Sequence, residues 1–196
     1  MDEMGKMISF LHLEGHPLAE ILPRLAMQKT FPPRTMLLGP EEQCQQVHFL
    51  ISGLLRGYLL DIHGDELTEC FPFRYGDIRL TSFNSMQGRL DGFVETLEET
   101  SFFVFDFAEL TPYFLQYPEL TSILIRKISE VYIEQTQHKR ILFHTTAMER
   151  YKWFLESYPG LIDRVPHKYV ASFLNITPVT LSRLRREERE SSGSAG

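Results

Sequence analysis

The 196 residues are 43% hydrophobic and include 15 Phe, enough to fill a core, which excludes global disorder. No run approaches the ~20 apolar residues that a membrane-spanning helix needs, and the two cysteines, Cys44 and Cys70, lie far apart, as in a reduced protein without a disulfide framework. The net charge of −6 hides an asymmetry, because residues 164–190 carry six Lys/Arg against three acids while the rest carries 14 against 23.

A basic C-terminal unit on an acidic body is the charge layout of a small DNA-binding module attached to a sensor; a solvated charged tail is the plainer alternative. The length fits one larger and one small unit. "MDEMGKMISFLHLEGHP" at the start lacks a basic segment followed by an apolar stretch, so no export signal is expected and the chain is placed in the cytoplasm, away from membranes.

"HPLAEILPRLAMQKTF" sets Leu18, Ile21, Leu22 and Leu25 at helical spacing and predicts a short helix broken by Pro23. From residue 31 short apolar or alternating runs ("MLL", "VHFLISG", "LLRGYLLDIHGDELTECF", "GFVETLEE", "SFFVFDF") are separated by "GPEEQ", "HGDE" and "YGD". That rhythm predicts strands and turns of an antiparallel unit, with bends or close backbone approach at Gly53 and Gly57. "FAELTPYFLQYP" predicts a short helix, and a long amphipathic one should run from Pro118 to about residue 145. "TTAMERYKWFLESYP" predicts another, capped by Thr146 with Glu149 completing a capping box. The small polar ending, residues 191–196, reads as a disordered tail.

The informative stretch is "YVASFLNITPVTLSRLRR", residues 169–186. Val170, Ala171 and Leu174 share one face of a first helix, and Ile176, Leu181 and Leu184 supply the matching apolar set beyond a turn. Asn175 suits a left-handed turn position, Thr177 a cap, and Pro178 the first helical position. The outward face of the second helix then carries Val179, Thr180, Ser182, Arg183 and Arg186, with Lys168 on the first helix. Thr180 and Ser182 are short enough to bond phosphates, and Arg183 is long enough to reach a guanine edge. A packed helical corner with exposed arginines is the competing reading.

"RVPHKYVASFLNITPVTLSRLRR" resembles the C-terminal helix-turn-helix of the Crp/Fnr family of bacterial transcription regulators, and "FLISGLLRGYLLDIHGDELTECF", "YGD" and "ETLEETSFFVFDFAEL" resemble its cyclic-nucleotide-binding-like roll in order and spacing. The resemblance covers roughly residues 18–187. It implies an α+β chain: an antiparallel β-roll (jelly roll) with flanking helices over 1–117, a long dimerisation helix over 118–146, and a small winged-helix-like helix-turn-helix domain over 147–190. It implies a homodimer, double-stranded operator DNA and RNA polymerase as partners, and a small-molecule effector in the roll. Arg183 matches the family's base-contacting arginine, with Thr177, Thr180 and Ser182 beside phosphate and groove positions. Pro178 and Val179 depart from the family pattern, which puts the usual operator half-site in doubt, and "LIDRVPHK" leaves little room for a wing.

The effector pocket would be drawn from Tyr75, Gly76, Asp77, Arg79 and Arg89. The family's cyclic-nucleotide cassette is incomplete: "QGRLDG" lacks the P-R-x-A element, and counting back from "ETLEET" puts Leu90 at the arginine position. A cyclic nucleotide, a different effector such as an acid met by Arg79 or Arg89, and no effector at all stay open as alternatives. Two scattered cysteines exclude an iron–sulfur sensor, and Gly15 and Pro17 spoil a metal-binding helix around His12 and His16. "DIHGDE" reads as a hairpin turn, and no nucleophile, P-loop or zinc-protease motif is present, so no enzyme is expected. Ile123, Leu124, Ile128 and Val131 are the candidate dimer seam; packing against their own roll is the alternative for each. The rival function is a small-molecule-binding protein with a vestigial helix-turn-helix.

Overall fold

The computed structural model describes residues 1–38, 46–81 and 92–193. Two four-stranded sheets come first, flanked by helices α1 (Glu3–Phe10) and α2 (Leu18–Leu25). Strands β1 (Met27–Phe31), β8 (Thr100–Asp106), β3 (Gln46–Ser52) and β6 (Ile78–Thr81) form one sheet in that order. Strands β2 (Met36–Leu38), β7 (Gly92–Thr96), β4 (Leu55–Leu60) and β5 (Glu66–Cys70) form the other. Helices α3 (Phe107–Gln116), α4 (Pro118–His144), α5 (Ala147–Ser157), α6 (Leu161–Arg164), α7 (His167–Phe173) and α8 (Pro178–Gly193) complete the chain. The expected roll, long helix and helix-turn-helix are all present.

The chain divides into two compact units, Met1–Gly57 with Phe71–Tyr132, and Tyr58–Cys70 with Ile133–Gly196. The boundaries fall inside β4 and inside α4, so the β4–β5 hairpin groups with the helix-turn-helix.

In the first unit, strand alternation sorts side chains onto two faces. Val47, Phe49, Phe103 and Phe105 point outward and form a core with Met7, Leu18 and Leu22 of the N-terminal helices and with Leu110, Leu120 and Ile123. Leu50, Phe102 and Val104 point inward, against Leu55 of the second sheet and the partly buried Phe31, Leu37 and Val94. Gly53 is required where it stands: its φ is +113°, and a Cβ there would lie 2.6 Å from the Thr100 Cα. Gly57 lies within β4 without left-handed backbone, so only one of the two glycine expectations concerns a strained position.

Two local expectations are corrected. Pro23 does not break α2; it sits in the last turn, and the helix ends two residues later. Residues 27–31, read with that helix, are the first strand and pair with β8. The N-terminal segment forms a helix, α1, whose Asp2 side chain accepts from the Gly5 amide at 2.8 Å. "DIHGDE" is a hairpin turn as expected: Asp61 Oδ1 accepts from the His63 and Asp65 amides, and Gly64 takes φ +85°.

His48 on β3 is only 6% exposed. Burial, with a smaller contribution from the charge on Lys29, pushes its pKa down from 6.5 to about 4. Between those values the unfolded chain binds a proton that the folded chain refuses, so stability falls as pH drops from about 6.5 toward 4. The limiting slope is about 1.4 kcal/mol per pH unit. Urea denaturation at pH 7 and pH 5 should show this loss, and His48→Leu should flatten that part of the profile.

Candidate nucleic-acid interface

The second unit is built around α7 and α8. Val170, Ala171, Phe173, Leu174, Leu181 and Leu184 are buried, the two apolar sets expected on either side of the turn, while Ile176 is half-buried. Asn175 has φ +50°, the left-handed position that closes the turn. Thr177 Oγ1 accepts from the Thr180 amide at 3.1 Å and meets the Thr180 hydroxyl at 2.9 Å, so the start of α8 is capped as predicted. Upstream, Thr146 and Glu149 form the expected reciprocal capping box at the start of α5.

With Leu181 and Leu184 inward, α8 presents Val179, Ser182, Arg183 and Arg186 along one exposed face. Thr177, Pro178 and Lys168 are also exposed, and Thr180 is half-buried at the edge. Val179 is 62% exposed, an unpaired apolar side chain among the polar residues of that face. Arg186 lies 3.8 Å from Glu190 one turn on, a surface pair of little strength. Lys168 rests its ammonium over the Tyr169 ring. Arg183 projects from the second turn and makes no ion pair among the described residues.

Residues that the sequence did not single out fix how α8 is held. Arg185 points away from the exposed face and donates to Asp163 Oδ1 of α6 at 3.0 Å and to His167 Nε2 at the start of α7, tying three helices together. Ser172, in the last turn of α7, accepts from the Thr68 amide at 2.9 Å and donates to the Glu66 carbonyl at 3.0 Å. Both partners belong to β5, the edge strand of the second sheet, so one hydroxyl satisfies two backbone groups that an edge leaves open. His138 of α4 stacks on Phe173 with ring centroids 3.9 Å apart, and its Nε2 lies 2.8 Å from the Phe173 carbonyl. Burial keeps its pKa below the usual histidine value, and because a carbonyl only accepts, Nε2 is the donor of this bond. Trp153 of α5 stacks parallel to the same pair.

No strand follows β8 among the described residues. The segment "LIDRVPHK" holds the one-turn helix α6 and the start of α7 where a wing would run, and Gly160 precedes it in the left-handed region.

The expected effector residues have structural duties. Tyr75 packs edge-on against Phe10 and Phe49, and its hydroxyl donates to the Glu3 carbonyl. Gly76 has φ +81° and lies against Phe10, whose ring would come within 2.2 Å of a Cβ. Asp77 Oδ2 accepts from the Phe73 and Arg74 amides at 3.0 and 2.9 Å, which ties the carboxylate into its own turn. Arg79 lies on β6 opposite His48 in the strand register; its side chain and the whole of Arg89 lie outside the described residues. His16 Nδ1 accepts from the Leu18 amide, and His12 sits in a left-handed turn, so the two do not share a helix face.

Of the expected seam residues, Ile123 is buried in the first unit's own core. Leu124 lines a cavity of about 50 Å³ beneath α3 and α4, and Val131 is half-buried. Only Ile128, 42% exposed, faces outward, together with Ile125 and Tyr132 at helical spacing.

No protein-family sequence model and no curated protein sequence matches the chain. Solved structures do. FixK2 from Bradyrhizobium japonicum superposes with a TM-score of 0.73 at 19% identity, over 85% of this chain and 86% of that one. The c-di-GMP-responsive global regulator CLP of Xanthomonas campestris gives 0.71 at 14% identity, over 89% and 91%. A transcriptional regulator of the Crp/Fnr family from Eubacterium rectale gives 0.67 at 14%, over 88% and 82%. The chain has the Crp/Fnr fold. Coverage of both this chain and each neighbour is nearly complete, so the roll, the long helix and the helix-turn-helix all belong to the Crp/Fnr match. No helix among the described residues is long and apolar enough to cross a membrane.

The grip on α7 has a measurable consequence. Ser172→Ala loses two hydrogen bonds and leaves the Thr68 amide and Glu66 carbonyl without that partner, a destabilisation of about 1–3 kcal/mol. Lys168→Ala, at an exposed position, should stay within about 0.5 kcal/mol of wild type. Urea denaturation of both variants distinguishes the two outcomes.

Proposed function

We propose that the chain is a cytoplasmic, homodimeric DNA-binding transcription regulator, with no enzymatic activity, whose roll senses a small effector other than cAMP. The observation that carries this is the exposed face of α8. Its first two turns present Ser182 and Arg183 beside a Thr177-capped, Pro178-led start, and no acid stands there. The acids Glu187 and Glu190 lie further along the helix, away from the end that enters a major groove. Arg183 is the base reader, bidentate to a guanine edge. Ser182, Lys168 and Arg186 serve the phosphates. Thr177 and Thr180 spend their hydroxyls on each other and so organise the helix start. Pro178 and Val179 add an apolar contact surface for a thymine methyl in place of a hydrogen-bonding pair.

The effector class rests on Asp77. A ribose hydroxyl needs a carboxylate turned toward it, and this one has its Oδ2 held by two amides of its own turn. Ile125, Ile128 and Tyr132 form the dimer seam, replacing the more buried residues read from the pattern. Pairing there sets two copies of α8 for half-sites about one DNA turn, ~34 Å, apart. RNA polymerase is the further partner of a regulator of this kind.

In a mobility-shift assay with the DNA upstream of its own gene, Arg183→Ala should bind about ten- to a hundredfold more weakly, the value of one bidentate base contact. Wild-type binding by that variant would reject the assigned face. In sedimentation analysis, the double substitution Ile128→Asp and Tyr132→Asp should yield monomer where the parent chain is dimeric, and DNA affinity should fall with it.

A further inference from the structure

One member of the exposed face of α8 cannot hydrogen-bond. Among the described residues of that helix, Val179 is the only large aliphatic side chain left in solvent, at 62% exposure, whereas Leu181 and Leu184 are buried. Residues three and four apart are neighbours on a helix surface, so Val179 adjoins both Ser182 and Arg183, which are exposed on the same face. It stands one turn nearer the helix start than either. That turn is ordered: the Thr177 carbonyl accepts from the Leu181 amide at 3.0 Å, and Thr177 Oγ1 from the Thr180 amide at 3.1 Å. A β-branched residue is a poorer helix former than alanine or glutamate, so local propensity does not account for a valine here.

The polar groups of the first two turns narrow what this face can distinguish. Residues 178–185 hold no carboxylate and no side-chain amide. The Thr180 hydroxyl is paired with that of Thr177 at 2.9 Å. Ser182 carries a hydroxyl, which serves donors and acceptors alike and so discriminates little. Arg183 only donates, which suits the two acceptors of a guanine edge. The amino group of an adjacent cytosine or adenine is a donor, and Val179 offers it nothing. An aliphatic side chain at the base edges can recognise one feature of the major groove, the methyl group on C5 of a pyrimidine. Thymine carries that methyl, and 5-methylcytosine carries it at the same place on the ring.

We propose that Val179 makes α8 a reader of the pyrimidine C5 methyl group. Beside the guanine met by Arg183, each half-site then accepts thymine and 5-methylcytosine alike and disfavours uracil and unmethylated cytosine. Methylation of a cytosine at that position strengthens the site. This selectivity rests on the DNA-binding role proposed above and adds to it a regulatory input, the methylation state of the operator.

Uracil interference with the full chain on the upstream DNA locates the contact. A fragment with sparse deoxyuridine in place of thymidine is separated into bound and free fractions and cleaved at uracil. One position in each half-site should be depleted of uracil in the bound fraction for the parent chain but not for Val179→Ser, which replaces both methyl groups by a hydroxyl. Duplexes with thymine, uracil, cytosine or 5-methylcytosine at that position, each opposite its complement, are then compared by fluorescence anisotropy. The parent chain should prefer thymine to uracil and 5-methylcytosine to cytosine by about fourfold per half-site, the worth of one buried methyl group. Val179→Ser should lose both preferences while still binding all four duplexes, because the position is exposed and the buried leucines are untouched. Absence of a uracil-sensitive position, equal binding of cytosine and 5-methylcytosine, or preferences that persist in Val179→Ser overturns the proposal. Each of those results leaves DNA binding itself standing, whereas wild-type binding by Arg183→Ala rejects the assigned face and the methyl contact with it.

Discussion

The last turn of α7 is gripped from two sides, by Ser172 on the open edge of β5 and by His138 on the Phe173 carbonyl. The exit of the chain into α8 starts from that turn. Leu174 and Asn175 follow at once, the latter in the left-handed region, and Thr177 then caps the new helix. Arg185 fixes the far side of α8 to α6 and α7. A helix of 16 residues with so polar a sequence would have little stability alone. Here three side-chain anchors and a row of buried leucines decide which of its faces meets solvent, and that face is the one with Arg183.

The parts of this arrangement visible in the sequence were those governed by local rules. A threonine three residues before a glutamate, an asparagine between two apolar clusters, and a proline after a threonine each have a short-range physical meaning, and Thr146, Asn175 and Thr177 stand as those meanings require. Order and spacing likewise made the roll and α4 legible. What was hidden depends on partners distant in sequence. Ser172 reads as an ordinary polar helix residue until a strand about a hundred positions earlier lies against it, and His138 reads as one more member of the polar run "EQTQHKR" until Phe173 stacks on it. Helix α1 has its apolar residues Met4, Met7, Ile8 and Leu11 at helical spacing, but it is only two turns long and its pattern becomes meaningful only once the roll lies against it.

The seam expected on α4 shows the limit of periodicity. An apolar stripe reports that a face is covered but not by what, and Ile123 and Leu124 are covered by their own roll. The same ambiguity applied to Tyr75, Gly76 and Asp77, whose motif-like order matches a binding cassette, while Tyr75 binds α1 to the roll, Gly76 leaves room for Phe10 and Asp77 closes a turn.

The central claim is that α8 binds DNA through its exposed face, and the salt dependence of that binding tests it most directly. Fluorescence anisotropy on a labelled fragment of the upstream DNA, titrated from low to physiological salt, should show affinity falling steeply and linearly on logarithmic axes, with a slope of about −0.9 per neutralised phosphate. Absence of binding even at the lowest salt would contradict the account and leave the helix-turn-helix as a structural corner.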